Sequence, residues 1–229
     1  MAPTEASEEL QKYLMAHQDE LIDRIVQFNA LMNRYESAIK EVDTKLEILK
    51  NDLRLRNRRD CITAIQTRLK TPTSILSKLK RRGIPLRLES IRSELNDVAG
   101  IRVICSFIDD IYLLAEKLAS QDDLTVLSVK DYIKNPKPNG YRSYHMIVEV
   151  PVFFSDAKEN MRVEIQIRTV AMDFWASLEH DIKYKKDIPG CEGIVKELKD
   201  CADTIAETDR RMMALRDKIK QQGNGSPEA

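Results

Sequence analysis

Strand-like and helix-like segments alternate through the middle of the chain, and this alternation limits the fold more than any other feature. A β-branched segment at 100–107 predicts a buried strand, and a helix capped by Asp109 follows it. Further strands are predicted at 124–129, 143–152 and 161–168, and a further helix at 169–183. A strand–helix–strand unit followed by a hairpin implies an α/β or α+β domain, in which helices pack on a mixed β-sheet of about five strands.

A long helix precedes this middle region. Residues 8–58 contain no Gly or Pro and predict helix throughout, and residues 60–70 are predicted to continue it. The apolar side chains follow alternating steps of four and three, at Leu21, Ile25, Phe28, Met32, Tyr35, Ile39, Val42, Leu46, Leu49 and Leu53. Such a pattern is usual for a helix that lies on its own core. Because this one exceeds what a small sheet can cover, it favours contact with another helix or subunit.

Two more helices are marked by their ends. Thr71 is suited to cap a helix that starts with Pro72 and ends near residue 82, before Gly83. A last helix is predicted at 191–221, and its apolar pattern is Ile194, Leu198, Cys201, Ile205, Thr208, Met212, Leu215 and Ile219. The polar tail at 222–229 is expected to be disordered.

The composition excludes some classes of protein. Lys plus Arg and Asp plus Glu both total 37, so the chain lacks the positive charge of a protein that coats DNA or RNA. Four cysteines without a CxxC pair and only three histidines argue against a zinc site or a disulfide framework. The acidic start is unlike a signal peptide, and no apolar run approaches a membrane span. We therefore expect a soluble protein in a reducing cytoplasm.

Two acidic residues are candidates for metal binding or proton transfer. Asp97 stands before the strand at 100–107, where Mg²⁺ ligands occur in α/β sheets, although by itself it is better explained as a helix or turn cap. Glu164, Gln166 and Arg168 alternate with apolar residues and share one face of a predicted strand. A solvent-facing strand would look the same. The three groups can also bind a metal or take a proton, hydrogen-bond a sugar and hold a phosphate.

Phosphate-binding side chains gather in two separate zones. The first follows the helix at 72–82 and its entry, with Arg68, Lys70, Ser74, Lys78 and Arg81. The second is the loop at 130–145, which combines a Pro-Asn-Gly turn with Lys130, Lys137, Tyr141, Arg142 and His145. A solvated helix face and a surface turn are the ordinary alternatives. Two acids and two basic zones together predict metal-dependent phosphoryl or nucleotidyl transfer between two phosphate-bearing substrates.

Three ordered motifs resemble the synthetase domain of the RelA/SpoT family. They are DVAGIRVIC at 97–105, KDYIKNPKPNGYRSYH at 130–145 and VEIQIRTVAMDFWASLEH at 163–180. The resemblance implies a nucleotidyltransferase-like fold and Mg²⁺-dependent transfer of pyrophosphate from ATP to the ribose 3′-hydroxyl of GDP or GTP. The product would be the alarmone ppGpp or pppGpp of the stringent response.

The resemblance also implies roles for the candidate residues. Asp97 would bind Mg²⁺, and Glu164 would bind Mg²⁺ or accept the proton of the 3′-hydroxyl. ATP would be held by Arg68, Lys70, Ser74, Lys78, Arg81 and Arg102. The acceptor nucleotide would be held by Lys130, Lys137, Asn139, Tyr141, His145 and Gln166, with the ring of Tyr141 stacked on guanine.

The chain departs from long members of the family. Its only histidine before position 145 is His17, so the histidine–aspartate metal site of their hydrolase cannot be built. The resemblance therefore implies a small alarmone synthetase without hydrolase activity. The expected regions are an N-terminal helical region at 1–66, a synthetase domain at 67–188, a C-terminal helix at 189–221 and the tail. Such proteins are typically homotetramers joined through terminal helices, and some bind a guanine nucleotide allosterically.

Two alternatives stay open from the sequence alone. Toxic relatives with the same fold act on adenine nucleotides or on tRNA, although the zero net charge makes tRNA the weaker choice. A non-catalytic regulator that binds a nucleotide or RNA would not need the paired acids. We expect neither a membrane partner nor an obligate nucleic-acid partner.

Overall fold

A five-stranded mixed sheet surrounded by six helices makes up the part of the chain that the computed structural model describes, residues 15–183 and 191–223. The strands are β1 (Ile62–Leu69), β2 (Ala99–Cys105), β3 (Thr125–Asp131), β4 (Tyr144–Phe153) and β5 (Lys158–Thr169). The helices are α1 (Gln18–Asn57), α2 (Pro72–Arg82), α3 (Leu88–Glu94), α4 (Ile108–Ala119), α5 (Val170–Lys183) and α6 (Cys191–Gly223). The predicted class, the size of the sheet and the four predicted strands are confirmed.

The strand order brings distant segments of the chain together. The order is β1-β2-β5-β4-β3, with β2 and β5 parallel and the other three pairs antiparallel. Glu164 of β5 lies between Gly100 of β2 and Ile147 of β4. Candidate residues from three strands therefore meet around the middle of β5.

The long helix α1 packs on its own sheet, which corrects the predicted subunit contact over most of its length. Seven of its side chains are buried, from Leu31 to Leu53, and the helix contacts β1, β2, β4 and β5. A five-stranded sheet is thus wide enough to cover this part of the apolar pattern. Nearer the N-terminus, Ile22, Ile25 and Val26 are at least half exposed. The pattern identified the apolar face correctly but not what covers it.

The prediction of helix over 60–70 is wrong, because Ile62–Leu69 forms β1. Helix α1 ends at Arg58, which has a left-handed conformation with a φ of 51°. Strand β1 lies at the edge of the sheet and pairs antiparallel with β2. No Gly or Pro marks the change from helix to strand. Pairing with β2 is a long-range contact, and such contacts override weak local preferences.

Helix α2 begins and ends as predicted. The hydroxyl of Thr71 accepts a hydrogen bond from the backbone N–H of Ser74 at 3.3 Å, and Pro72 is the first helical residue. Gly83 ends the helix with a φ of 66°, a conformation that costs glycine little. Ile75 and Leu79 are buried, so α2 is anchored to the core by one face and presents its polar side chains on the other.

Asp110, and not the predicted Asp109, caps α4. Its carboxylate accepts a hydrogen bond from the backbone N–H of Phe107 at 3.2 Å and two from the guanidinium of Arg59 at 2.6 and 2.7 Å. Asp110 is 2% exposed, whereas the side chain of Asp109 is half exposed and pairs with Arg216 of α6. Both acids lie in the first turn of the helix. The burial of Asp110 depends on its pairing with Arg59, which is distant in the sequence.

Replacing Asp110 by Asn should destabilise the fold strongly. The change leaves the guanidinium of Arg59 without its carboxylate partner at a largely buried site. Breaking such a pair costs about 3–5 kcal/mol, so we expect urea denaturation to give a free energy of unfolding lower by about 3 kcal/mol. Asp109→Asn is the matched control, because it breaks a more exposed pair and should cost less than about 1 kcal/mol. Equal losses in the two variants would contradict this account.

Helix α6 packs only part of its predicted apolar pattern on the domain. Leu198 and Ile205 of the pattern are partly buried against Trp175, whereas Met212 and Ile219 are 54% and 69% exposed. The buried residues Ala202, Ala206 and Asp209 were not in the pattern, and their small side chains let α6 approach α5 and α4. Apolar periodicity favours large residues and therefore did not include them.

Two predictions fall partly outside the described residues. Residues 222 and 223 belong to α6, and the rest of the tail expected to be disordered, 224–229, is not described. The start of the helix predicted at 8–58 is likewise not described before residue 15. Among the helices that the structure does describe, none combines the length and the apolar character needed to cross a membrane.

Candidate active site

Three cavities meet at Asp97. The first, of about 380 Å³, is lined by residues of β1, β2 and β5. The second, of about 350 Å³, follows α2, and the third, of about 250 Å³, lies between α2, β3 and β4. Asp97 lines all three cavities, and Glu164 lines the first and the third. The two predicted acids therefore stand where the cavities join.

The first two cavities collect every residue predicted to hold the phosphate donor. The first contains Arg68, Lys70 and Arg102, and the second contains Arg68, Lys70, Ser74, Lys78 and Arg81. Because Arg68 and Lys70 line both, the two cavities form one continuous basic space. The helical spacing of the α2 residues and the entry from β1 together produce this arrangement.

The third cavity receives half of the residues predicted to hold the acceptor. Those that line it are Lys130, Lys137 and His145. Gln166 lies on the first cavity instead. Lys78 of α2 lines both the second and the third cavity. Helix α2 therefore stands between the cavities that collect the residues predicted for the donor and those predicted for the acceptor.

Asn139 and Tyr141 are not among the residues that line these cavities. The amide of Asn139 donates to Glu179 of α5 at 2.9 Å. The hydroxyl of Tyr141 lies 2.9 Å from Nε2 of His145, and the ammonium of Lys137 lies 4.5 Å from the centre of the Tyr141 ring. The loop thus holds Tyr141 one layer behind the cavity wall.

Asp97 is shared by two lysines. Its Oδ2 lies 2.8 Å from Nζ of Lys70 and 2.6 Å from Nζ of Lys78. Burial raises the pKa of the Asp97 carboxyl, but the hydrogen bonds and charges of the two lysines outweigh burial, so the pKa lies below its ordinary value. Asp97 is therefore ionised at neutral pH.

Glu164 has a polar neighbour at each oxygen. Its Oε1 lies 3.5 Å from Nδ1 of His145, and its Oε2 accepts a hydrogen bond from Nε2 of Gln166 at 3.0 Å. Burial raises the pKa of the Glu164 carboxyl, but the interactions with His145 and Gln166 outweigh it, so this pKa is also lowered. Glu164 is an ionised and oriented carboxylate.

The two acids fit a hard divalent cation. Oδ1 of Asp97 is buried and has no hydrogen-bond partner among the described residues, which leaves a charged oxygen available to a ligand. The carboxylate of Glu164 faces the same cavity. Mg²⁺ is usually bound by one or two carboxylates, with water and substrate phosphates completing its coordination. Asp97 and Glu164 supply that number of carboxylates.

Arg168 does not hold a phosphate, which corrects one of the roles considered for its strand face. Its side chain is on the same face as Glu164, as the alternation predicts, but it is only 4% exposed. All its nitrogens donate within the protein, to Ser143, Asp173, Tyr141 and Gln166. Alternation identified the face of β5 but could not reveal that the loop and α5 cover its end.

The loop at 130–145 is tied to α6 at its turn. Arg142 donates to the carbonyl of Ala202 at 3.2 Å and pairs with Asp203 at 2.8 Å. Gly140 has a φ of 88°, and a Cβ built there would lie 2.5 Å from Cβ of Ala202. Glycine at this position lets the turn lie directly on α6.

Two residues on the acceptor side were missed by sequence reasoning. Tyr132 and Arg82 both line the third cavity. The ring of Tyr132 lies 5.2 Å from that of His145, edge to face. Tyr132 belongs to the loop motif and Arg82 follows Lys78 by one helical turn, so both signals were present in the sequence.

Comparisons with known proteins show the family of the chain. Residues 67–189 match the family model of the region found in RelA / SpoT proteins. Two similar proteins of Bacillus subtilis (strain 168) are the GTP pyrophosphokinases YwaC, 39% identical over 90% of this chain and 98% of its own length, and YjbM, 33% identical over 85% and 91%. Small alarmone synthetase 1 from Bacillus subtilis, solved with its product pppGpp, superposes with a TM-score of 0.77 and 34% identity over 84% of this chain and 98% of that one.

Proposed function

This chain belongs to the RelA/SpoT family, and we propose that it is a GTP pyrophosphokinase that transfers pyrophosphate from ATP to the ribose 3′-hydroxyl of GDP or GTP in the presence of Mg²⁺. The observation that carries the proposal is the junction of donor and acceptor cavities at Asp97 and Glu164. Two polyphosphates repel each other, so an enzyme that joins them must hold both with cations and align the reacting atoms. The similar proteins named GTP pyrophosphokinase support the same activity.

In the proposed reaction the 3′-oxygen of the acceptor attacks the β-phosphorus of ATP. Glu164 accepts the proton of the hydroxyl while the new O–P bond forms. The bond between the β-phosphorus and the oxygen that bridges it to the α-phosphorus breaks, and AMP leaves. A Mg²⁺ ion held by Asp97 and Glu164 would neutralise part of the phosphate charge.

The donor side is proposed to hold ATP through Arg68, Lys70, Ser74, Lys78, Arg81 and Arg102. Lys70 and Lys78 now pair with Asp97, so arriving phosphates would compete for the same two ammonium groups. A cation bound to Asp97 would replace the lysines as partners of the carboxylate. Donor and metal binding should therefore strengthen each other.

The acceptor side is proposed to hold the guanine nucleotide through Lys130, Lys137, Asn139, Tyr141, His145 and Gln166. Guanine would stack on Tyr141, whose ring is now covered by the ammonium of Lys137 at 4.5 Å. Stacking therefore requires Lys137 to leave the ring, and its charge is then available to a phosphate.

Incubation with ATP labelled at its γ-phosphate, Mg²⁺ and each acceptor in turn tests this proposal. We expect a labelled guanine product with GDP or GTP, and no labelled product other than the donor itself when ATP alone or tRNA is offered as the acceptor. A new labelled adenine nucleotide, or labelled tRNA, would instead support the alternative acceptors. Binding of nucleotides that Mg²⁺ leaves unchanged, with no label on any acceptor, would support a non-catalytic regulator.

Gly140→Ala should weaken binding of the acceptor. The added Cβ would clash with Ala202 and disfavour the φ of 88°, so the loop would move away from α6. Backbone strain of about 1–3 kcal/mol corresponds to a rise of roughly tenfold in KM for GTP. KM for ATP should change little. Gly193→Ala, where the new Cβ meets no atom within 4 Å, is the control, and an equal effect of both variants would contradict this role of the loop.

We also propose that the terminal helices join copies of the chain into a homotetramer. Exposed apolar side chains on these helices support this, namely Ile22, Ile25 and Val26 of α1 and Met212, Leu215 and Ile219 of α6. Light scattering on the full chain would give four times the monomer mass, and a monomer mass would contradict the proposal. Because ATP and GTP are cytoplasmic nucleotides, we place the enzyme in the cytoplasm.

A further inference from the structure

We propose that Arg168 positions Glu164 for proton transfer through two arms of polar contacts that end on the two oxygens of its carboxylate. One arm is hydrogen-bonded throughout and runs through Gln166. The other runs through hydrogen bonds to Tyr141 and His145 and ends in a 3.5 Å contact between His145 and Glu164. Arg168 is 4% exposed, so it acts through these neighbours and not on a substrate. The proposal rests on the role of Glu164 in the proposed reaction.

Arg168 is itself fixed before it reaches either arm. Its Nε donates to Oγ of Ser143 at 3.3 Å, and its Nη1 donates to Oδ1 of Asp173 at 3.0 Å. Ser143 is fully buried, and Asp173 lies in the first turn of α5. The guanidinium therefore presents Nη2 to the active centre from a rigid position, where it donates to the first residue of each arm.

The short arm sets the orientation of an amide. Nη2 of Arg168 donates to Oε1 of Gln166 at 2.9 Å. Arginine has no acceptor, so Gln166 must turn its oxygen toward Arg168 and its nitrogen the other way. That nitrogen donates to Oε2 of Glu164 at 3.0 Å. Without Arg168 the amide could turn over and place its oxygen against the carboxylate.

The long arm sets the tautomer of His145. Nη2 of Arg168 also donates to the hydroxyl of Tyr141 at 2.7 Å, which favours that hydroxyl as the donor to Nε2 of His145 at 2.9 Å. In a neutral imidazole the other nitrogen then carries the proton. That nitrogen, Nδ1, faces Oε1 of Glu164 at 3.5 Å, and a carboxylate can only accept. The donor end and the acceptor end of this arm therefore favour the same tautomer.

Together the two arms fix the orientation of the Glu164 carboxylate. Gln166 donates to one oxygen of Glu164, His145 lies 3.5 Å from the other, and the carboxylate is held toward the cavity that it lines. Positioning groups of this kind typically contribute about tenfold to a hundredfold when they orient a neighbouring ligand. The hydroxyl of Tyr141 thus has a function separate from any stacking by its ring.

Nitrogen NMR of ¹⁵N-labelled histidine in the full chain tests the long arm without any substrate. The chain has three histidines, and a spectrum of His145→Asn identifies the signals of His145. In alkaline buffer, where imidazole is neutral, we expect the proton of His145 on Nδ1. Tyr141→Phe should raise the population of the tautomer with the proton on Nε2, because only the 3.5 Å contact with Glu164 then favours Nδ1. A proton on Nε2 in the unaltered protein would overturn the proposal. So would a tautomer that Tyr141→Phe does not change.

Kinetics test whether this arrangement matters for turnover. Tyr141→Phe keeps the ring and removes the hydroxyl, so kcat should fall by about tenfold to a hundredfold with KM for GTP within about twofold. Tyr144→Phe, which removes a hydroxyl from the first residue of β4 outside the cavities, should keep the kcat of the unaltered enzyme. If kcat of Tyr141→Phe is unchanged, or only its KM rises, the hydroxyl does not position Glu164 and the proposal fails.

The tautomer of His145 in Arg168→Lys tests the role of Arg168 without substrate and therefore independently of the proposed function. Lysine keeps the charge but cannot reach both arms from one fixed plane, so the tautomer should change as in Tyr141→Phe. Should Arg168→Lys fail to fold, Tyr141→Phe still carries the test. If the protein transferred no label to any acceptor, the proposed function would fail while the tautomer of His145 would still confirm or refute the arm.

Discussion

Glu164→Gln is expected to abolish pyrophosphate transfer, with kcat lower by about 10³-fold or more. The substitution preserves the size of the side chain but removes the charge that accepts the proton of the 3′-hydroxyl, a contribution of about 10²–10⁴-fold in general base catalysis. It also removes one of the two carboxylates available to Mg²⁺. Because Glu164 orients no phosphate itself, KM for ATP and for GTP should change much less than kcat.

Glu149→Gln is the matched control for this variant. Glu149 lies on the neighbouring strand β4, opposite Arg162 of β5, and pairs with it at 3.5 Å. Since Arg162 is two residues from Glu164, both acids lie on the same face of the sheet. Loss of Glu149 should leave kcat within about twofold, as is usual for a partly exposed pair. Comparable activity of Glu164→Gln and the unaltered enzyme would contradict the assigned role.

Asp97→Asn is expected to have the second largest effect, a fall in kcat of roughly a hundredfold or more. Asp97 supplies a buried, unpartnered oxygen to the cation, and metal stabilisation of phosphoryl transfer is worth several kcal/mol, on the order of this factor. The same change frees Lys70 and Lys78, which share Oδ2 of Asp97. ATP binding in the presence of a chelator should therefore be retained or become tighter, while the gain in affinity from Mg²⁺ should disappear.

Calorimetric titration with ATP, with and without Mg²⁺, measures both parts of this expectation. Asp123→Asn is the control, because it removes an equal charge from a surface pair with Lys45. That variant should respond to Mg²⁺ as the unaltered protein does. If Asp97→Asn kept its Mg²⁺ response, or lost ATP binding in chelator, Asp97 would be a structural partner of the lysines and not a metal ligand.

The sequence predicted the sheet better than the segments that cover it. Strands β2 to β5 have apolar and β-branched patterns that local reasoning detects. Strand β1 follows a long helical segment with no Gly or Pro between them, and its pairing with β2 is not visible in the local sequence. The apolar pattern of α1 gave the correct face, but periodicity carries no information on whether a sheet or another subunit covers it. In α6 the inner face is made by Ala202 and Ala206, and small residues contribute little to such a pattern.

In the site, too, local patterns predicted the candidate residues but not the long-range contacts that bring them together. Asp97 and Glu164 were recognisable as candidates, but their meeting depends on the parallel pairing of β2 with β5, which joins segments more than fifty residues apart. The basic face of α2 followed from helical spacing alone. The buried position of Arg168 depends on the loop, β4 and α5 together, and no local pattern distinguishes it from a surface arginine.

Analysis of both products of one reaction tests whether the protein transfers pyrophosphate from ATP to a guanine nucleotide. Purified protein, ATP, Mg²⁺ and GTP would be resolved by chromatography, and phosphorus NMR would locate the new group on the guanine nucleotide. We expect one AMP for each guanine nucleotide that carries a diphosphate on its 3′-oxygen. This ratio follows because the bond between the β-phosphorus of ATP and its bridging oxygen to the α-phosphorus breaks. Formation of ADP with a single transferred phosphate, or of AMP with free pyrophosphate, would contradict it.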